Sequence, residues 1–440
     1  MPPPPPDDAL TTRIPPTCPA SIAELLHHAW RHDLAALKPL LAVPGRASVQ
    51  EPTTGETPLH AAIRSCASTS TSANADPDPD LDAAKAVVHE LFLSGAIWND
   101  VDSNNETPGC LAARLGQEAL YALCVEAGVR AELLFGLLGG DGYEELESED
   151  EEEEEEGDED GENKDNTENA DEPIDIVLES DPDRAFAFAP PQPAAADPDV
   201  NSDEYLRSQL TYDAGKLVDD SQNGVMMAWE TSIMRASVDA LLTPGEKLPA
   251  AGRTRVLNIG FGMGIIDGMF REAHPSKHHI IEAHPAVLEH MNGPDCTFGK
   301  EWEASAPSEG AYKVHAGRWQ DVIPNLLEQG ELYDAIYFDT FGEDYAQLRN
   351  FFTEYVPGLL DENGVFGFFN GLGADRKVCY DVYTKVVEMH LSDAGMDVEW
   401  QEMDVDMGGL EEEGKGEWQG VKRRYWTLDK YRLPTCTFMG

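Results

Sequence analysis

Three closely spaced glycines form the sequence feature that most suggests a ligand-binding site. The segment VLNIGFGMGII, residues 256–266, leads from a β-branched and apolar run into glycines at 260, 262 and 264. A strand that ends in such a turn lets the backbone approach a bound nucleotide closely. The dinucleotide pattern G-x-G-x-x-G would need a glycine where Ile265 stands. The turn is therefore compatible with a nicotinamide cofactor, a methyl donor or no ligand.

Two carboxylates follow the glycine turn at the ends of later apolar runs. Glu282 lies in IIEAHP, about 20 residues past the glycines, where it could accept hydrogen bonds from both ribose hydroxyls. Asp339 ends the run YDAIYFDT. Ligands of an open α/β sheet bind outside the carboxyl ends of the strands, so both side chains are candidates for one cleft. The alternative for Glu282 is a buried-edge glutamate without a ligand.

An aromatic ring and an amide stand directly after the third apolar run. In GRWQD, Trp319 and Gln320 could flank and read an adenine ring, although an ordinary core tryptophan would explain Trp319 equally well. Glu343 and Asp344, a little further on, are interpreted as solvated loop charges.

The segment GVMMAWETSIMRASVDALL, residues 224–242, is predicted to be a helix that precedes the sheet. Glu230 and Met234 are four residues apart, so a helix would place them on one face. A glutamate beside Trp229 and an apolar stripe is costly unless it meets a cation or a ligand. The helix could therefore cover the cleft; the alternative is a partly exposed glutamate on a packing helix.

The second half of the chain alternates apolar runs with helical segments, which predicts an α/β fold with a parallel sheet covered by helices on both faces. The last two runs are separated by a short turn-rich gap and indicate an antiparallel addition at one edge. Such a sheet is typical of the Rossmann-like, seven-stranded methyltransferase fold. The runs predicted to be strands are 255–261, 278–283, 312–317, 333–340, 364–370, 397–405 and 423–433.

The first part of the chain contains a weak repeat. The segments LHHA (26–29) and LHAA (59–62) lie 33 residues apart, and the second lies in TGETPLHAAIRS, which NNETPGCLAARLGQEAL (104–120) echoes. This period resembles the ankyrin repeat, a turn followed by two antiparallel helices, and predicts two or three all-α units. The polar segment 66–82 would loop out between two helices. The units would bind a partner protein or, alternatively, only stabilise the α/β domain in the second half of the chain.

A strongly acidic segment, residues 144–181, separates the two parts and is nearly devoid of apolar residues. Such a composition cannot offset its ordering entropy and predicts disorder, either as a solvated linker or as a docking tail for a basic partner. The predicted organisation is a disordered N-terminus, ankyrin-like repeats, an acidic and proline-rich linker and a catalytic domain, at 1–20, 21–140, 141–200 and 201–440.

Composition restricts the partners. The 83 acidic and 31 basic side chains give a formal net charge of −52, so we expect a basic protein partner and no direct binding of nucleic acid. The seven cysteines form no CxxC pair, which argues against disulfides and a metal site. The N-terminal segment does not resemble a signal peptide, and no run of about 18 apolar residues exists. We expect a soluble, monomeric protein of the cytoplasm and nucleus that does not bind membranes.

Five segments in order resemble the guanidinoacetate N-methyltransferase family, over about residues 203–440: VMMAWETSIM, VLNIGFGMGII, IIEAHP, GRWQDVIP and YDAIYFDTF. With the ankyrin-like region and the acidic linker, the chain resembles the protein arginine N-delta-methyltransferases, also called type IV arginine methyltransferases. The resemblance implies S-adenosyl-L-methionine as the cofactor. One departure is Ser232, because the relatives with small substrates have proline after WET.

The resemblance also implies residue roles. Glu230 and Asp339 would hold a guanidinium and be the catalytic residues, with Asp339 also next to the cofactor. The other residues implied in cofactor binding are Phe261, Gly262, Met263, Gly264, Ile265 and Ile266 around the methionine part, Glu282, Ala283 and His284 at the ribose, Trp319 and Gln320 at the adenine, and Tyr212, Met226 and Met234 closing the pocket.

Three functions are compatible with these features. The first is methylation of the delta nitrogen of an arginine in a basic protein, which the family suggests is a ribosomal protein. The second is methylation of a small guanidino compound by an enzyme with an ankyrin-like accessory. The third is a non-enzymatic adaptor with a vestigial methyltransferase fold, against which the three carboxylates Glu230, Glu282 and Asp339 argue.

Overall fold

A computed structural model describes seven stretches of the chain, residues 8–68, 79–139, 202–213, 215–242, 253–293, 296–412 and 416–440. The acidic segment 144–181 and the whole predicted linker 141–200 lie outside the described residues, so the predicted disorder there stays a prediction.

The N-terminal part consists of helices that pack as three successive pairs, α2 with α3, α4 with α5 and α6 with α7. Short 3-10 turns lie at Arg46–Ser48 and Ser65–Ser68. The polar segment 66–82 lies between α4 and α5, but its last residues are already helical. The helices are α1 (Leu10–Arg13), α2 (Ala20–Trp30), α3 (Leu34–Leu41), α4 (Pro58–Arg64), α5 (Pro79–Leu93), α6 (Pro108–Arg114) and α7 (Glu118–Gly139).

Two of these helices begin at the Thr-Pro steps of the sequence. The Thr57 hydroxyl accepts a hydrogen bond from the His60 backbone N–H at 3.2 Å, and Thr107 accepts one from the Cys110 N–H at 3.1 Å. In both helices proline occupies the first turn, where its missing N–H costs nothing. The Thr-Pro steps therefore start helices.

Residues 8–20 are not disordered, and this part of the prediction for 1–20 is wrong. Helix α1 carries Arg13, whose buried guanidinium pairs with Glu56 at 3.0 Å and with Asp102. Arg64 pairs with the same two carboxylates, at 3.1 and 2.8 Å. A buried ion network of this kind needs every member, because a charge left without its partner is strongly destabilising. The segment is ordered because Arg13 completes the network.

A small antiparallel sheet precedes the main sheet and was not foreseen. After a short helix α8 (Ser202–Tyr205) it contains β1 (Thr211–Asp213), β2 (Lys216–Val218) and β3 (Gly224–Met227). The predicted helix over 224–242 is therefore wrong in its first part. Residues Ala228–Glu230 form a 3-10 turn, and only Thr231–Leu242 form a helix, α9. The 3-10 turn runs directly into α9, and Glu230 and Met234, four residues apart, are both buried.

The main sheet has seven strands in the order β6-β5-β4-β7-β8-β10-β9. The first five are parallel, and β10 runs antiparallel to both β8 and β9. The seven predicted strands and the antiparallel pair are confirmed, except that the last strand begins seven residues later than the predicted 423. The strands are β4 (Arg255–Ile259), β5 (Lys277–Glu282), β6 (Tyr312–Ala316), β7 (Tyr333–Phe338), β8 (Leu360–Phe368), β9 (Met396–Asp404) and β10 (Lys430–Phe438).

Helices connect these strands, and the central strand β7 is buried at every position. Within the described stretches, no helix is long and apolar enough to cross a membrane. The helices are α10 (Ile265–Glu272), α11 (Pro285–Met291), α12 (Lys300–Ala304), α13 (Trp319–Glu328), α14 (Tyr345–Asn350) with a π-helical continuation (Phe351–Tyr355), α15 (Val356–Leu359), α16 (Lys377–Asp393) and α17 (Met407–Glu411).

The N-terminal helices share a hydrophobic core with the second domain. Val378, Val382 and Val386 of α16 are fully buried in one cluster with residues of α2 to α7. At the edge of this contact, the Tyr121 hydroxyl of α7 donates a hydrogen bond to Asp381 of α16. The two parts of the chain therefore pack as one body, whatever path the linker between them takes.

Candidate active site

A cavity of about 250 Å³ opens at the carboxyl ends of β4, β5 and β7. This is the edge at which an open α/β sheet binds its ligands. Eight of the residues that the resemblance implies in catalysis or cofactor binding line this cavity together: Met226, Glu230, Gly262, Glu282, Ala283, Trp319, Gln320 and Asp339.

The other residues implied in cofactor binding do not line this cavity. Met234 belongs to the core beneath β3 and α9, and Phe261 is buried against Phe298. Tyr212 donates a hydrogen bond to the Gly262 carbonyl at 3.1 Å, so it supports the glycine turn. The remainder are not among the lining residues either: Met263 and Gly264 complete the turn, Ile265 and Ile266 begin α10, and His284 caps α11.

The glycine turn is sterically required at two positions. Gly260 has a φ of +91°, and a Cβ there would lie 1.9 Å from the carbonyl oxygen of Asp339. Gly262 has a φ of +54°, and a Cβ there would lie 2.8 Å from both Sδ and Cε of Met226. The Met226 sulfur also accepts a hydrogen bond from the Met263 N–H at 3.2 Å. The turn, the end of β7 and strand β3 are thus fitted closely around one another.

Glu282 ends β5 and faces the glycine turn. Its Oε2 accepts the Phe261 N–H at 2.9 Å, and its Oε1 accepts the His284 N–H at 2.6 Å. Burial raises the pKa of this carboxyl, and the backbone donors partly oppose that rise. The Gly262 N–H is a further, longer donor to Oε2 at 3.5 Å. A carboxylate has about four acceptor sites, so Glu282 can still accept a hydrogen bond from a hydroxyl group in the cavity.

Trp319 and Gln320 begin α13 and meet the loop after β7 through Glu343. The Trp319 indole N–H lies 3.0 and 3.1 Å from the two Glu343 oxygens, and the Gln320 amide donates to Glu343 at 3.0 Å. Thr340 donates to the same carboxylate at 2.6 Å. Reading Glu343 as a solvated loop charge is therefore wrong, whereas Asp344 is exposed and caps α14. No spacing signal marked Glu343, because its partners Trp319 and Gln320 come from α13, more than twenty residues earlier.

The Trp319 ring has a structural role as well as a place in the cavity wall. It is buried with its edge or face against Phe338, Phe351 and Tyr355, at centroid distances of 5.8, 5.4 and 5.7 Å. The interpretation of Trp319 as a core tryptophan is confirmed, and its contact with an adenine ring stays a prediction. The oxygen Oε1 of Gln320 is buried without a hydrogen-bond partner among the described residues.

Glu230 and Asp339 bring two carboxylates into the same cavity. Glu230 is 2% exposed, and its Oε1 accepts the Met227 N–H at 2.9 Å. Asp339 directly follows β7, and its backbone N–H donates to the Ile259 carbonyl at 2.9 Å. Within the described part of the chain, Asp339 Oδ2 is buried and has no hydrogen-bond partner. An orphaned carboxylate oxygen of this kind is costly unless a cation or donor joins it.

The electrostatics of this pair point to a missing positive charge. Burial, together with the neighbouring Asp339 charge, raises the pKa of Glu230 to about 8. Burial likewise raises the pKa of Asp339 to about 7. Two carboxylates that share a poorly solvated site resist ionising together. A bound cation would relieve both effects and let both groups carry their charge.

Tyr425 also lines the cavity, and sequence reasoning missed it. Its hydroxyl donates to Glu230 Oε1 from a residue 195 positions further along the chain. The segment 423–433 was predicted as one strand, but Tyr425 lies in the loop that precedes β10. No local pattern reveals a contact at this sequence separation.

The cavity fits a nucleoside with a positively charged tail. The glycine turn admits a close backbone contact, Glu282 offers acceptors for ribose, and the acidic pair suits a cation. The fold and this site define an S-adenosylmethionine-dependent methyltransferase.

Comparisons with known proteins identify the family. Protein arginine N-methyltransferase 2 of Gibberella zeae is 59% identical over 426 residues, covering 96% of this chain and 94% of that protein. The protein of the same name from Neurospora crassa is 59% identical over 436 residues, covering 99% of both chains. The chain belongs to the protein arginine N-methyltransferase 2 family. The family model of guanidinoacetate N-methyltransferase matches residues 205–405.

Among solved structures, a putative SAM-dependent methyltransferase from Streptococcus mutans aligns at 11% identity with a TM-score of 0.31, covering 52% of this chain and 55% of that one. A likeness at this level supports no further conclusion, and the fold class follows from the strand order. The chain is thus an arginine methyltransferase with S-adenosylmethionine as its methyl donor, and the adaptor hypothesis is wrong.

Proposed function

We propose that this enzyme methylates the delta nitrogen of an arginine in a basic protein, and that the protein is a ribosomal one. The observation that carries the proposal is the pair Glu230 and Asp339 in one cavity, a buried glutamate and an aspartate whose Oδ2 is buried. A guanidinium is planar, remains charged at physiological pH and donates parallel hydrogen bonds to carboxylates. It is the cation that such a pair would bind best.

The charges around the cavity favour a protein arginine over a small guanidino acid. Of the described residues that line the cavity, Glu230, Glu282, Asp339, Glu343 and Asp344 are acidic and only Arg318 is basic. Arg318 is already paired with Asp203. Guanidinoacetate carries a carboxylate one carbon away from its guanidine, and these acidic groups would repel it. An arginine within a peptide has no such carboxylate.

In the proposed mechanism, Glu230 and Asp339 orient the guanidinium and offer an acceptor for the proton that it must lose. S-adenosylmethionine would supply the methyl group to an electron pair on nitrogen, with its carbon–sulfur bond broken and S-adenosylhomocysteine as the leaving group. The guanidinium has no free electron pair of that kind until one N–H proton leaves. Asp339 is suited to accept this proton because its Oδ2 has no other partner among the described residues. The rate gain would come from orientation and from this fixed negative charge.

The choice of the delta nitrogen rests on the resemblance to guanidinoacetate N-methyltransferases. In those relatives the methyl group goes to the nitrogen that bears the carbon chain, and the corresponding atom of arginine is the delta nitrogen. The family model covers the part of the chain that contains both carboxylates. The same pair of carboxylates would then present the corresponding nitrogen of arginine to the methyl group.

Fragmentation of the methylated product tests the proposal. The enzyme is incubated with labelled S-adenosylmethionine and total ribosomal protein, and the labelled arginine is analysed by tandem mass spectrometry. We expect delta-methylarginine in one protein band. Omega-methylarginine would contradict the choice of nitrogen. Label found only in a low-molecular-weight guanidino compound would favour the second hypothesis, a small-molecule enzyme.

We further propose that the N-terminal helices are ankyrin-type repeats that help to select the protein substrate. The turns before α4 and α6 are closed in the same way, by backbone hydrogen bonds from Glu51 to Glu56 and from Asp102 to Glu106, both 2.9 Å. A threonine cap and a proline follow in each case. A turn followed by a helix pair, repeated along the chain, is the plan of this repeat.

The acidic composition of the chain supports a basic partner. The acidic and proline-rich segment is followed closely by a residue of the active-site cavity. Ser202, the first described residue after the acidic and proline-rich segment, lines the cavity. We propose that this net charge draws basic protein substrates toward the site and disfavours nucleic acid and anionic membranes. We also propose a monomer that works in the cytoplasm and nucleus.

A further inference from the structure

The Glu230 carboxylate is held by two donors on one oxygen. The Met227 N–H donates to Oε1 at 2.9 Å, and the Tyr425 hydroxyl donates to the same oxygen. Two donors in different directions fix the carboxylate more firmly than one donor would. Met227 is part of strand β3, whereas Tyr425 comes from the loop before β10, so the bond joins two distant parts of the chain.

The Tyr425 ring is itself fixed by its surroundings. It stacks on Trp229, with centroids 6.2 Å apart and planes at 26°, and meets Trp418 edge-on at 5.1 Å and 79°. A Cβ at Gly224 would lie 3.1 Å from the ring. Offset-stacked and edge-to-face contacts of this kind hold an aromatic ring in one orientation. The hydroxyl therefore reaches Glu230 from a rigid support.

The other ionisable groups around Glu230 oppose its charge or stay neutral. Asp339 at the end of β7 and Glu417 in the loop before β10 both disfavour a charged Glu230. Tyr337 of β7 and Tyr431 of β10 are buried, and burial raises their pKa well above the usual value, so they stay neutral. The hydrogen bond from Tyr425 acts in the opposite sense and lowers the pKa of Glu230. Of the described ionisable side chains that act on Glu230, Tyr425 is the one whose hydrogen bond favours the charged form.

We propose that Tyr425 is a positioning residue for the methyl transfer, whose hydroxyl fixes the Glu230 carboxylate and favours its charged form, so that the cavity can receive a guanidinium. The inference rests on the proposed role of Glu230 in binding that cation. Tyr425 acts through Glu230 and takes no part in bond making. Its contribution should therefore depend on pH and vanish when Glu230 cannot ionise.

The first test needs no substrate. The variant Tyr425→Phe removes the hydroxyl and keeps the ring, and Tyr312→Phe is a matched control because it removes the hydroxyl that donates to the Pro275 carbonyl outside the cavity. Thermal unfolding is followed from pH 5 to pH 9. We expect the deficit in Tm of Tyr425→Phe to grow with pH, because the lost bond stabilises the charged carboxylate. The deficit of Tyr312→Phe should stay constant. A pH-independent deficit for Tyr425→Phe would show a merely structural role.

The second test measures kcat/KM against pH with total ribosomal protein as substrate. Removing the phenol should raise the apparent pKa of the acidic limb by about one unit, which lowers kcat/KM about tenfold at pH 7 and restores it near pH 9.5. The affinity for S-adenosylmethionine should not change. A fall by the same factor at every pH would overturn the proposal.

Two further variants separate this inference from the proposed function. In the Glu230→Gln background, Tyr425→Phe should add no pH-dependent effect, and any added shift would contradict the coupling. Full activity of Glu230→Gln alone would instead refute the role of Glu230. Should Tyr425→Phe not fold, 3,5-difluorotyrosine at position 425 keeps the ring and makes the hydroxyl a stronger donor. It should move the acidic limb to lower pH, and a shift to higher pH would overturn the proposal.

Discussion

At the scale of single residues, the orphaned oxygen of Asp339 is the feature on which catalysis depends most directly. We expect Asp339→Asn to lower kcat by at least about a hundredfold, because the amide cannot take the proton that leaves the guanidinium. The affinity for S-adenosylmethionine should change by less than about threefold, since Glu282 and the glycine turn remain. Single-turnover rates and calorimetry check the two parts.

Asp393→Asn is the matched control for this substitution, because Asp393 is exposed at the end of α16 and far from the cavity in the fold. It should retain normal turnover. Substantial activity of Asp339→Asn would remove Asp339 from the mechanism.

The acidic pair also makes the stability of the ligand-free enzyme depend on pH. Both Glu230 and Asp339 have folded-state pKa values above those of the unfolded chain, near 8 and 7 compared with 4.5 and 3.8. The folded state therefore holds protons that the unfolded state has released, and stability falls as pH rises from about 4 to about 8. Asp339→Asn should raise the free energy of unfolding by about 2 kcal/mol at pH 8 and by less at pH 5. Urea unfolding at the two pH values measures this, and an equal effect at both would contradict it.

At the scale of elements, the glycine turn can be tested with two glycines only six residues apart. Gly262→Ala should weaken the binding of S-adenosylmethionine, because alanine is strained at a positive φ and the end of the Met226 side chain, 2.8 Å from the new Cβ, must shift. Gly268→Ala lies within α10 and meets nothing within 4 Å, so it should be neutral or slightly stabilising. Calorimetry distinguishes the two, and normal binding by Gly262→Ala would show that Met226 yields.

Sequence patterns predicted the elements that are long and repeated, and missed those that depend on distant partners. The seven strands of the main sheet were visible as apolar runs, and Glu282 and Asp339 followed from their ends. The sheet β1 to β3 was missed because strands of three or four residues are too short to show a period. Glu343 and Tyr425 were missed for a different reason, since both are defined by hydrogen bonds to residues of other elements.

At the scale of the whole molecule, the shared core changes what a truncation should do. Independent domains would allow residues 1–200 to be deleted with little effect on donor binding. Helix α7 covers Val378, Val382 and Val386 of α16. Deleting residues 1–200 removes α7 and should therefore leave these apolar side chains exposed to water. We expect residues 202–440 alone to aggregate or to unfold at a much lower temperature.

Cutting the linker provides the control for this prediction. A protease site introduced within 141–200 would break the chain and leave every contact between α7 and α16 in place. The two fragments should remain associated during gel filtration and keep the Tm of the intact protein to within about 5 °C. Separation of the fragments would show that the contact is weak.

The position of β10 has a consequence for biosynthesis. This strand is made after the other six, yet it lies between β8 and β9 inside the sheet. A ribosome must therefore release residues 430–438 before β9 can join the sheet, and Tyr425 reaches Glu230 in the same late step. A nascent chain can form its parallel strands early, but it should acquire a working active site only when this last strand is inserted.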